Sequence, residues 1–587
     1  MAPRLALCLV LALLAVSLTG CATAPRAREA TPAETQALAL SQQGRHVEAA
    51  QAWRAIALEA RGDALARARL NAAEALQRAG DAAGARAELA EAPRRRLVPA
   101  EQFRHDLLSA GFALDDGQAA EALARLQQAP AAVPQDRRAD WLALRARAFE
   151  ATGDRFGMAA AIAERAALLE DNERARALRE AERQLKALPD AALVQQAGFL
   201  ADDAALLPLA LREARRRGLD VARALPAPAA ADRPPPAADG YHPPRRMAVL
   251  LPLSGELAPA GAAVRDGLLA AYYAETRARP VVSFHDTLGT ASGAREARKR
   301  AIAEGADLLV GPLGRDEVAA LAAEPVDGPV WLALNRTIVA SPGGGSFALA
   351  PEDEGAAAAR RLLERGLTRA VAMAEPDDSA QRALAGFREH FRAEGGELLA
   401  VAPLDALGGN AATGLATLAP HAGSAQALFV AARAPAVRIL MPQREGAGLA
   451  ALPVLGTSLV QSGGDARLDR ELDGLQFPEL PWLLGDPVGP GDAESLGRRL
   501  PSARGSAARL FAFGFDAWKV ASHLEALRGG ALLRGATGEL GIDAVGIVER
   551  VPAWAEYRGG VSRRAGDGAL WPIDAPASAP ASSPTQR

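Results

Sequence analysis

The residue with the clearest chemistry in this chain is Cys21, whose thiol can carry a covalent lipid. The segment Leu18-Thr19-Gly20-Cys21 matches the lipobox, in which a peptidase cuts before the cysteine and the cysteine is lipidated. Arg4 supplies a positive charge before the almost unbroken apolar run from Leu5 to Leu18. This run of about 14 residues is shorter than the roughly 20 residues that a membrane-spanning helix needs. We therefore predict a removable lipoprotein signal at residues 1–20 and a lipidated tether at residues 21–30.

The use of cysteine agrees with export. The chain has two cysteines, and Cys8 lies inside the predicted signal, so the mature protein would keep Cys21 alone and could form no internal disulfide. An ordinary secretory signal with a chance cysteine is the alternative. The next residue is Ala22, not the aspartate that resembles an inner-membrane retention signal in many Gram-negative bacteria. This pattern predicts a protein anchored through Cys21 in the outer membrane, with its body in the periplasm.

Other residue types with catalytic potential are scattered. The chain has seven histidines, no His-x-x-x-His pair and no Cys/His cluster with metal-binding spacing. It also lacks a Gly-x-Ser-x-Gly elbow and a Gly-x-x-x-x-Gly-Lys phosphate loop. Carboxylate pairs such as Glu352-Asp353 lie where helices are predicted to begin, and the helix dipole alone favours negative charge there. We therefore predict that the protein is not an enzyme and uses neither a metal nor a cofactor.

The elements that position these residues change in character along the chain. The 587 residues carry a net charge of −3, and with that balance no electrostatic footprint for nucleic acid or acidic lipid stands out. Ala, Leu, Arg and Glu recur at helical spacing up to residue 225, whereas short Val/Leu-rich runs alternate with helical stretches from residue 245 to 574. The prolines of residues 226–244 predict a semi-rigid, extended linker. Residues 575–587 are rich in Pro, Ala and Ser and are predicted to be a disordered tail.

Residues 31–225 contain an internal repeat. Four glycines stand 36, 37 and 36 residues apart, with an alanine seven residues before each and a small or flexible residue five residues after each. A large apolar residue follows nine positions after each glycine. Glycine permits a left-handed turn between two helices, and small residues let the helices approach closely. The register resembles the tetratricopeptide repeat and predicts an all-α helical solenoid. The repeat positions are Ala37, Gly44, Ala49, Trp53; Ala73, Gly80, Ala85, Leu89; Ala110, Gly117, Ala122, Leu126; and Ala146, Gly153, Met158, Ile162.

Residues 245–574 alternate strand and helix patterns, which predicts parallel sheets covered by helices on both faces. Nine or more strand candidates suggest two doubly wound lobes. Polar or Gly-rich residues follow several strands, and in such sheets the carboxyl ends of the strands meet ligands or partners. Ordinary turn and helix-cap chemistry explains each of these residues equally well, so a shared interlobe cleft is a hypothesis. Its candidate lining residues are Ser254, Asp286, Thr287, Gly311, Pro312, Asn335, Thr457 and Ser458.

At this point the residues resemble a known family. Residues 248–255 (AVLLPLSG) followed by Ala263-Val264-Arg265-Asp266-Gly267 look like the opening of a type I periplasmic binding-protein fold. Further strings, taken in order with the lipobox and the helical repeats, resemble the LpoA family of lipoproteins that activate penicillin-binding proteins. These strings are Asp286-Thr287, Val310-Gly311-Pro312-Leu313, Leu332-Ala333-Leu334-Asn335, Pro351-Glu352-Asp353-Glu354, Pro481-Trp482-Leu483-Leu484, Leu510 to Ala517 and Gly535-Ala536-Thr537-Gly538.

The resemblance implies a non-catalytic regulator of peptidoglycan synthesis. Such a protein would bind and stimulate a bifunctional class A penicillin-binding protein anchored in the inner membrane, with the helical half giving reach and the α/β half docking. Two other functions stay open from the residues alone. One is a ligand-binding receptor or sensor that uses the interlobe cleft, and the other is a hydrolase of wall material.

Overall fold

The computed structural model describes residues 30–127, 133–221, 233–325, 328–338, 343–461 and 466–566. Cys21, the predicted signal, the first part of the proline-rich segment and the predicted tail lie outside these residues. Within them, no helix has both the length and the apolar character needed to cross a bilayer. The chain forms two compact units, residues 1–161 and residues 162–587.

The first unit is helical, and each predicted glycine lies between two helices. Gly44, Gly80, Gly117 and Gly153 have φ values of +76°, +85°, +74° and +76°, which is the left-handed region that favours glycine. This confirms the predicted helical hairpins. The helices are α1 (Pro32–Gln42), α2 (His46–Glu59), α3 (Gly62–Arg78), α4 (Ala82–Ala90), α5 (Pro99–Asp115), α6 (Ala119–Arg125), α7 (Arg138–Thr152) and α8 (Arg155–Ala166), the last of which contains the division between the units.

The repeat positions form the core of this unit. The alanines on both sides of the first three glycines are completely buried, and the large residues that follow, Trp53, Leu89 and Leu126, are almost completely buried. In the fourth repeat Ala146 and Met158 are only partly buried. Small residues at the crossing points therefore allow the close helix packing that the spacing predicted, and the packing loosens at the fourth repeat.

The second unit begins with helices that the sequence groups with the solenoid: α9 (Asp171–Lys186), α10 (Asp190–Phe199) and α11 (Leu207–Arg216). They pack on the α/β part through polar contacts. Arg179 Nε lies 3.0 Å from Asp543 Oδ2, and Glu182 Oε2 accepts a hydrogen bond from the Ala544 amide at 3.0 Å. Arg216 donates to the Ile542 carbonyl at 3.1 Å. These bonds explain why the compact α/β unit starts at residue 162, upstream of the proline-rich segment.

Lobe 1 is built on a parallel five-stranded sheet of order β2-β1-β3-β4-β5. Its strands alternate with helices, as the sequence predicts. The elements are β1 (Arg246–Leu251), α12 (Ala258–Ala274), β2 (Val281–Asp286), α13 (Ala291–Ala303), β3 (Leu308–Val310), α14 (Arg315–Ala322), β4 (Val330–Ala333) and β5 (Gly345–Ser346).

Lobe 2 has a seven-stranded sheet of order β15-β14-β10-β9-β8-β6-β7, in which β14 is antiparallel to both of its neighbours, β10 and β15. Apolar clusters cover both faces of this sheet. Its elements are α15 (Pro351–Leu363), β6 (Arg369–Ala374), α16 (Asp378–Ala393), β7 (Glu397–Pro403), α17 (Ala411–Leu418), β8 (Ala427–Ala431), α18 (Ala434–Gln443), β9 (Val454–Gly456), β10 (Gln476–Glu479), β14 (Ala553–Arg558) and β15 (Val561–Arg564).

Between β10 and β14 the chain returns to lobe 1. It forms α19 (Ala493–Arg499), α20 (Ala507–Ser522), α21 (Leu524–Arg528) and a small antiparallel sheet of β11 (Leu533–Arg534), β12 (Glu539–Ile542) and β13 (Val548–Val551). Helix α20 contributes Phe511 and Trp518 to the core of lobe 1. A Cβ atom on Gly267 of α12 would lie 1.9 Å from the Phe511 carbonyl oxygen, so the two helices touch backbone to backbone. The predicted two-lobed α/β architecture is confirmed.

The described end of the proline-rich segment packs against lobe 1. Tyr241 is buried, and its hydroxyl donates to the Ala278 carbonyl at 2.9 Å. The His242 amide donates to the Ser522 carbonyl at 2.8 Å, and the Arg277 guanidinium lies 3.8 Å from the centre of the Tyr241 ring. Burial, aided by the charge of Glu275, raises the pKa of Tyr241 to about 12. Residues 233–244 are thus fastened to the lobe, whereas the prolines predict a semi-rigid, extended linker.

Candidate functional site

Two of the predicted cleft residues, Ser254 after β1 and Asp286 at the end of β2, are hydrogen-bonded to each other. The Asp286 carboxylate accepts hydrogen bonds from the amides of Leu253 and Leu288, both at 2.9 Å, and from Ser254 Oγ at 2.6 Å. Burial opposes ionisation, but the bonds from Ser254 and these amides outweigh it and lower the pKa of Asp286. Both oxygens of the carboxylate therefore hold the loops that follow β1 and β2.

Thr287 is completely buried beside a carboxyl group that the sequence did not single out. Its amide donates to the Leu251 carbonyl at 3.0 Å. Glu317 of α14 is also buried and accepts a hydrogen bond from the Gly314 amide at 2.7 Å. Burial raises the pKa of Glu317, against the opposing effects of Thr287 and the Gly314 amide. A glutamate three residues after the start of a helix is a common cap, so no sequence pattern predicts that Glu317 is buried in the core.

Gly311, Pro312 and Asn335 join the ends of β3 and β4. The Gly311 carbonyl accepts a hydrogen bond from Trp331 Nε1 at 2.5 Å, and the Pro312 carbonyl accepts one from the Leu334 amide at 3.2 Å. Asn335 Nδ2 donates to the Leu313 carbonyl at 2.9 Å. Gly311 has φ +107°, and a Cβ there would lie 2.1 Å from the Leu250 carbonyl oxygen. The positive φ and the close approach to Leu250 thus require glycine at this position.

In lobe 2 the predicted residues Thr457 and Ser458 follow β9. Ser458 donates to the Glu354 carboxylate twice, from its amide at 2.8 Å and from Oγ at 2.7 Å. Glu354 also lies 3.3 Å from Arg509 of α20, and Arg509 donates to Glu479 at the end of β10. Thr457 is buried, with 1% of its surface exposed. These residues belong to a buried charged cluster where chain segments pass between the lobes.

A cavity of about 310 Å³ lies between the lobes, within the range of roughly 300–1,000 Å³ that is usual for ligand sites. Of the eight residues predicted to line a cleft, Asn335 lines this cavity. The ligand-binding role of all eight stays a prediction. Most of the wall is apolar and comes from residues outside that set: Leu257, Leu313, Leu334, Leu349, Leu510 and Phe513.

The charged residues of the cavity are arginines that already have partners. Arg382 makes two bonds of 2.8 Å to Glu352, and Arg315 of lobe 1 lies 2.8 Å from Asp378 of lobe 2. A second bridge between the lobes joins Arg336 to Asp353 at 2.7 Å. The protein itself therefore satisfies the charges at the cleft. Arg315 is the first residue of α14, where the helix dipole disfavours a cation. This unfavourable position is the one feature of the sequence that could have identified Arg315 as a residue of the cleft.

Two of the segments that resemble the LpoA family, residues 510–517 and 535–538, are also hydrogen-bonded to each other. Asp516, from the string at residues 510–517, is fully buried and accepts hydrogen bonds from the Ala536 amide at 2.8 Å and the Thr537 amide at 2.7 Å. Thr537 Oγ1 donates to the same carboxylate at 2.6 Å. These residues fix α20 to the loop after β11. Across the described ranges, no three or more His, Cys, Asp or Glu side chains are grouped so as to hold a metal ion.

Comparison with known proteins agrees with this architecture. The family model described as "LppC putative lipoprotein" matches residues 240–560, which is more than half of the chain. The chain belongs to the LppC family. The match covers lobe 1, lobe 2 except for β15, and the end of the proline-rich segment, and it includes the charged cluster around Glu354, Glu479 and Arg509.

Curated relatives match a similar share of the chain. The protein named penicillin-binding protein activator LpoA from Dickeya chrysanthemi (strain Ech1591) is 28% identical over 303 residues, covering 44% of this chain and 43% of the relative. Its namesake from Glaesserella parasuis serovar 5 (strain SH0165) is 29% identical over 325 residues, or 54% of each chain. This member of the LppC family thus spans about half the length of the curated relatives that it matches.

A solved structure shares the fold over most of the chain. Full-length LpoA from Haemophilus influenzae, in a monoclinic crystal form, superposes with a TM-score of 0.56 at 19% identity, covering 88% of this chain and 98% of that one. A second monoclinic form gives a TM-score of 0.55. The helical region and the two-lobed α/β region therefore occur together in a known structure.

Proposed function

We propose that this protein is a lipid-anchored, non-catalytic regulator that binds and stimulates a bifunctional class A penicillin-binding protein. The observation that carries the proposal is the LppC family match over residues 240–560, together with relatives named penicillin-binding protein activator. The lipobox at Cys21 supports anchoring in the outer membrane, from which the protein would reach a synthase in the inner membrane.

The α/β unit is the part that we propose to dock on the synthase. Its lobes are joined by ion pairs between their own side chains, so the unit offers a fixed surface in place of an open cleft. An activator of this kind acts by binding one conformation of its partner more tightly than another. It can shift that equilibrium only by the difference between the two binding free energies.

The test uses the soluble chain from Ala22 onward, mixed with a purified class A penicillin-binding protein. We expect faster glycan polymerisation or cross-linking, and retention of the synthase on immobilised protein. Heat-unfolded protein at the same concentration is the control for non-specific effects. Unchanged rates together with no retention would overturn the proposal.

The alternative function, a receptor that uses the interlobe cleft, rests on the cavity of about 310 Å³. The bridges Arg315–Asp378 and Arg336–Asp353 count against it, because a ligand that must open the lobes has to break them. Thermal denaturation with amino acids, peptides and wall fragments separates the two functions. Binding to the folded state raises the midpoint of unfolding, so we expect no increase with any of these compounds.

A further inference from the structure

Two cavities of the molecule differ in the chemistry of their walls. A cavity of about 440 Å³ lies in the helical unit, between α1, α2, α3, α5 and the turn before α7, and most of the residues that line it are polar. Its Arg104 binds Glu74 at 2.8 and 2.5 Å, and its Arg137 lies 3.5 Å from Asp136. The cavity of about 310 Å³ between the lobes is instead mostly apolar. Apolar side chains are therefore the groups that would fill it most favourably.

The cavity between the lobes is apolar at its mouth as well as in its wall. Leu257 lines the cavity and has 42% of its surface exposed. Leu288 has 56% of its surface exposed and a φ of +57°, a backbone conformation that is unfavourable for leucine. A Cβ atom on Gly289, next to Leu288, would lie 3.5 Å from Leu257. Exposed apolar side chains beside an apolar cavity are typical of a surface that another apolar group covers.

The chain itself carries an apolar segment after Gly566. Residues 567–587 lie outside the described residues, and their large apolar side chains are Leu570, Trp571 and Ile573. The other residues of this stretch are proline, small residues or polar residues. The family match ends at residue 560, so it assigns no role to these three side chains. The proposed function does not use them either.

The last described residues bring the chain to the end of lobe 2 that faces lobe 1. The Ala565 amide donates to the carbonyl of Trp554 in β14 at 2.7 Å, and β14 begins beside Glu479 at the end of β10. Glu479 accepts a hydrogen bond from Arg509 of α20. The next residue of that helix, Leu510, lines the cavity. The chain therefore leaves lobe 2 close to the residues that connect it to the cavity wall.

The remaining distance is short enough for the apolar segment to cross. Strand β15 lies two strands from β10 in the sheet, which corresponds to about 10 Å. Trp571 follows Gly566 by five residues, and five extended residues span at most about 17 Å. A segment tethered so close to a site has an effective concentration on the order of millimolar. Even a contact that the isolated segment makes weakly would then be largely formed within the chain.

We propose that residues 570–573 fold back on their own chain and fill the cavity between the lobes. Trp571 enters the apolar cavity, and its neighbours Leu570 and Ile573 cover Leu257 at the mouth. The protein thus supplies the ligand of its own cleft, which closes the cavity to other molecules. This inference goes beyond the proposed function and does not depend on binding to a synthase.

The test is fluorescence anisotropy with a labelled peptide of residues 567–575 and two forms of the soluble chain from Ala22 onward. One form is unaltered, and the other, the serine variant, carries L570S/W571S/I573S. We expect the peptide to bind the serine variant. It should bind the unaltered chain about tenfold more weakly, because the chain's own segment competes at an effective concentration on the order of millimolar. A peptide with serine at the same three positions should bind neither form.

Matched variants locate the contact. A577S/A579S/A581S also makes three changes to serine but removes no large apolar side chain, so this chain should exclude the peptide as the unaltered chain does. Within the serine variant, L257D should lower the affinity for the peptide by about tenfold. L532D changes a leucine that is similarly exposed, at 44%, but does not line the cavity, and it should leave the affinity unchanged. If circular dichroism shows that L257D does not fold, L257A replaces it.

Four results would overturn the proposal. The first is no binding of the peptide to the serine variant, and the second is equal binding to the serine variant and the unaltered chain. The third is an equal loss of affinity in L257D and L532D. The fourth is a dimer of the unaltered chain in sedimentation velocity that the serine variant does not form, since the segment of a second copy would then occupy the cavity.

Discussion

The cavity in the helical unit and the cleft between the two lobes are both lined by arginines, but they differ in how those arginines are paired. In the cleft, Arg315 and Arg382 meet carboxylates at 2.8 Å. In the helical cavity, Arg137 has carboxylates only at 3.5 Å or more, and Arg78 stands exposed at the rim. Arg104 of the helical cavity is as closely paired as the cleft arginines, with bonds of 2.8 and 2.5 Å to Glu74. The two regions therefore differ only in the looser pairing of Arg78 and Arg137.

The pairs that join the two lobes connect residues far apart in sequence. Arg315 and Asp378 are 63 residues apart, and Arg509 and Glu354 are 155 residues apart. Such pairs form only when the lobes are assembled, so they report the tertiary structure. The helical unit repeats one hairpin, and each hairpin contacts mainly its neighbours along the chain. Its ion pairs accordingly join neighbouring hairpins, as Arg104 and Glu74 do at a separation of 30 residues.

The largest expected effect comes from removing Arg509 at the crossing between the lobes. The change R509M removes the ion-pair partner of Glu479 and Glu354, and Glu479 has only 1% of its surface exposed. We expect a loss of about 3–5 kcal/mol in the free energy of unfolding, measured by urea denaturation. The same change at the exposed Arg78 should cost less than about 0.5 kcal/mol.

The effect of R509M should also depend on pH. Burial raises the pKa of Glu479, and Arg509 opposes that shift, so the variant should have a still higher folded-state pKa. A carboxyl whose pKa is raised by folding stabilises the folded state while it is protonated and loses that contribution as pH rises through the folded pKa. The loss caused by R509M should therefore be larger at pH 8 than at pH 5. Equal losses of unfolding free energy at pH 5 and pH 8 would contradict an ion pair between Arg509 and the buried Glu479.

Substitutions of Gly267 and Gly44 should have intermediate effects on stability, for two different reasons. Gly267 lies where α12 touches α20, and an added Cβ would lie 1.9 Å from the Phe511 carbonyl oxygen. We expect G267A to cost about 1–3 kcal/mol through overpacking. Gly44 has no atom within 4 Å of an added Cβ, but its φ is +76°. G44A should cost about 1 kcal/mol, through backbone strain alone. A larger loss for G44A, measured by urea denaturation, would contradict this order.

The smallest expected effect tests whether the lobes are held by their surface bridges. Arg315 and Asp378 are both more than half exposed, so R315A should cost no more than about 1 kcal/mol in stability. Hydrogen exchange at the amides of Leu349 and Ala350, which line the cleft, should nevertheless become faster, because the lobes would open more often. The matched control R369A removes an exposed arginine from the start of β6, away from the cleft. Unchanged exchange in R315A would show that this bridge does not close the cleft.

The sequence predicted the parts of the fold that depend on local pattern. A glycine at each hairpin, alanines at the helix crossings and alternating strands and helices follow from backbone freedom, side-chain volume and hydrophobic period. The predicted cleft residues were less informative, because polar residues after strands also serve as turns and caps. Asp286 with Ser254, and Glu354 with Ser458, show that use.

The sequence alone determined the lipobox at Cys21, the register of the helical hairpins and the α/β class of the second half, because each is encoded in residues close together in the chain. The tertiary structure decided that α9–α11 belong with the α/β unit, that Arg509 joins Glu354 and Glu479, and that three arginines line one cavity. Charge pairing acts over a few ångströms in space, regardless of distance along the chain. Only the assembled fold therefore shows which charges lie close enough to pair.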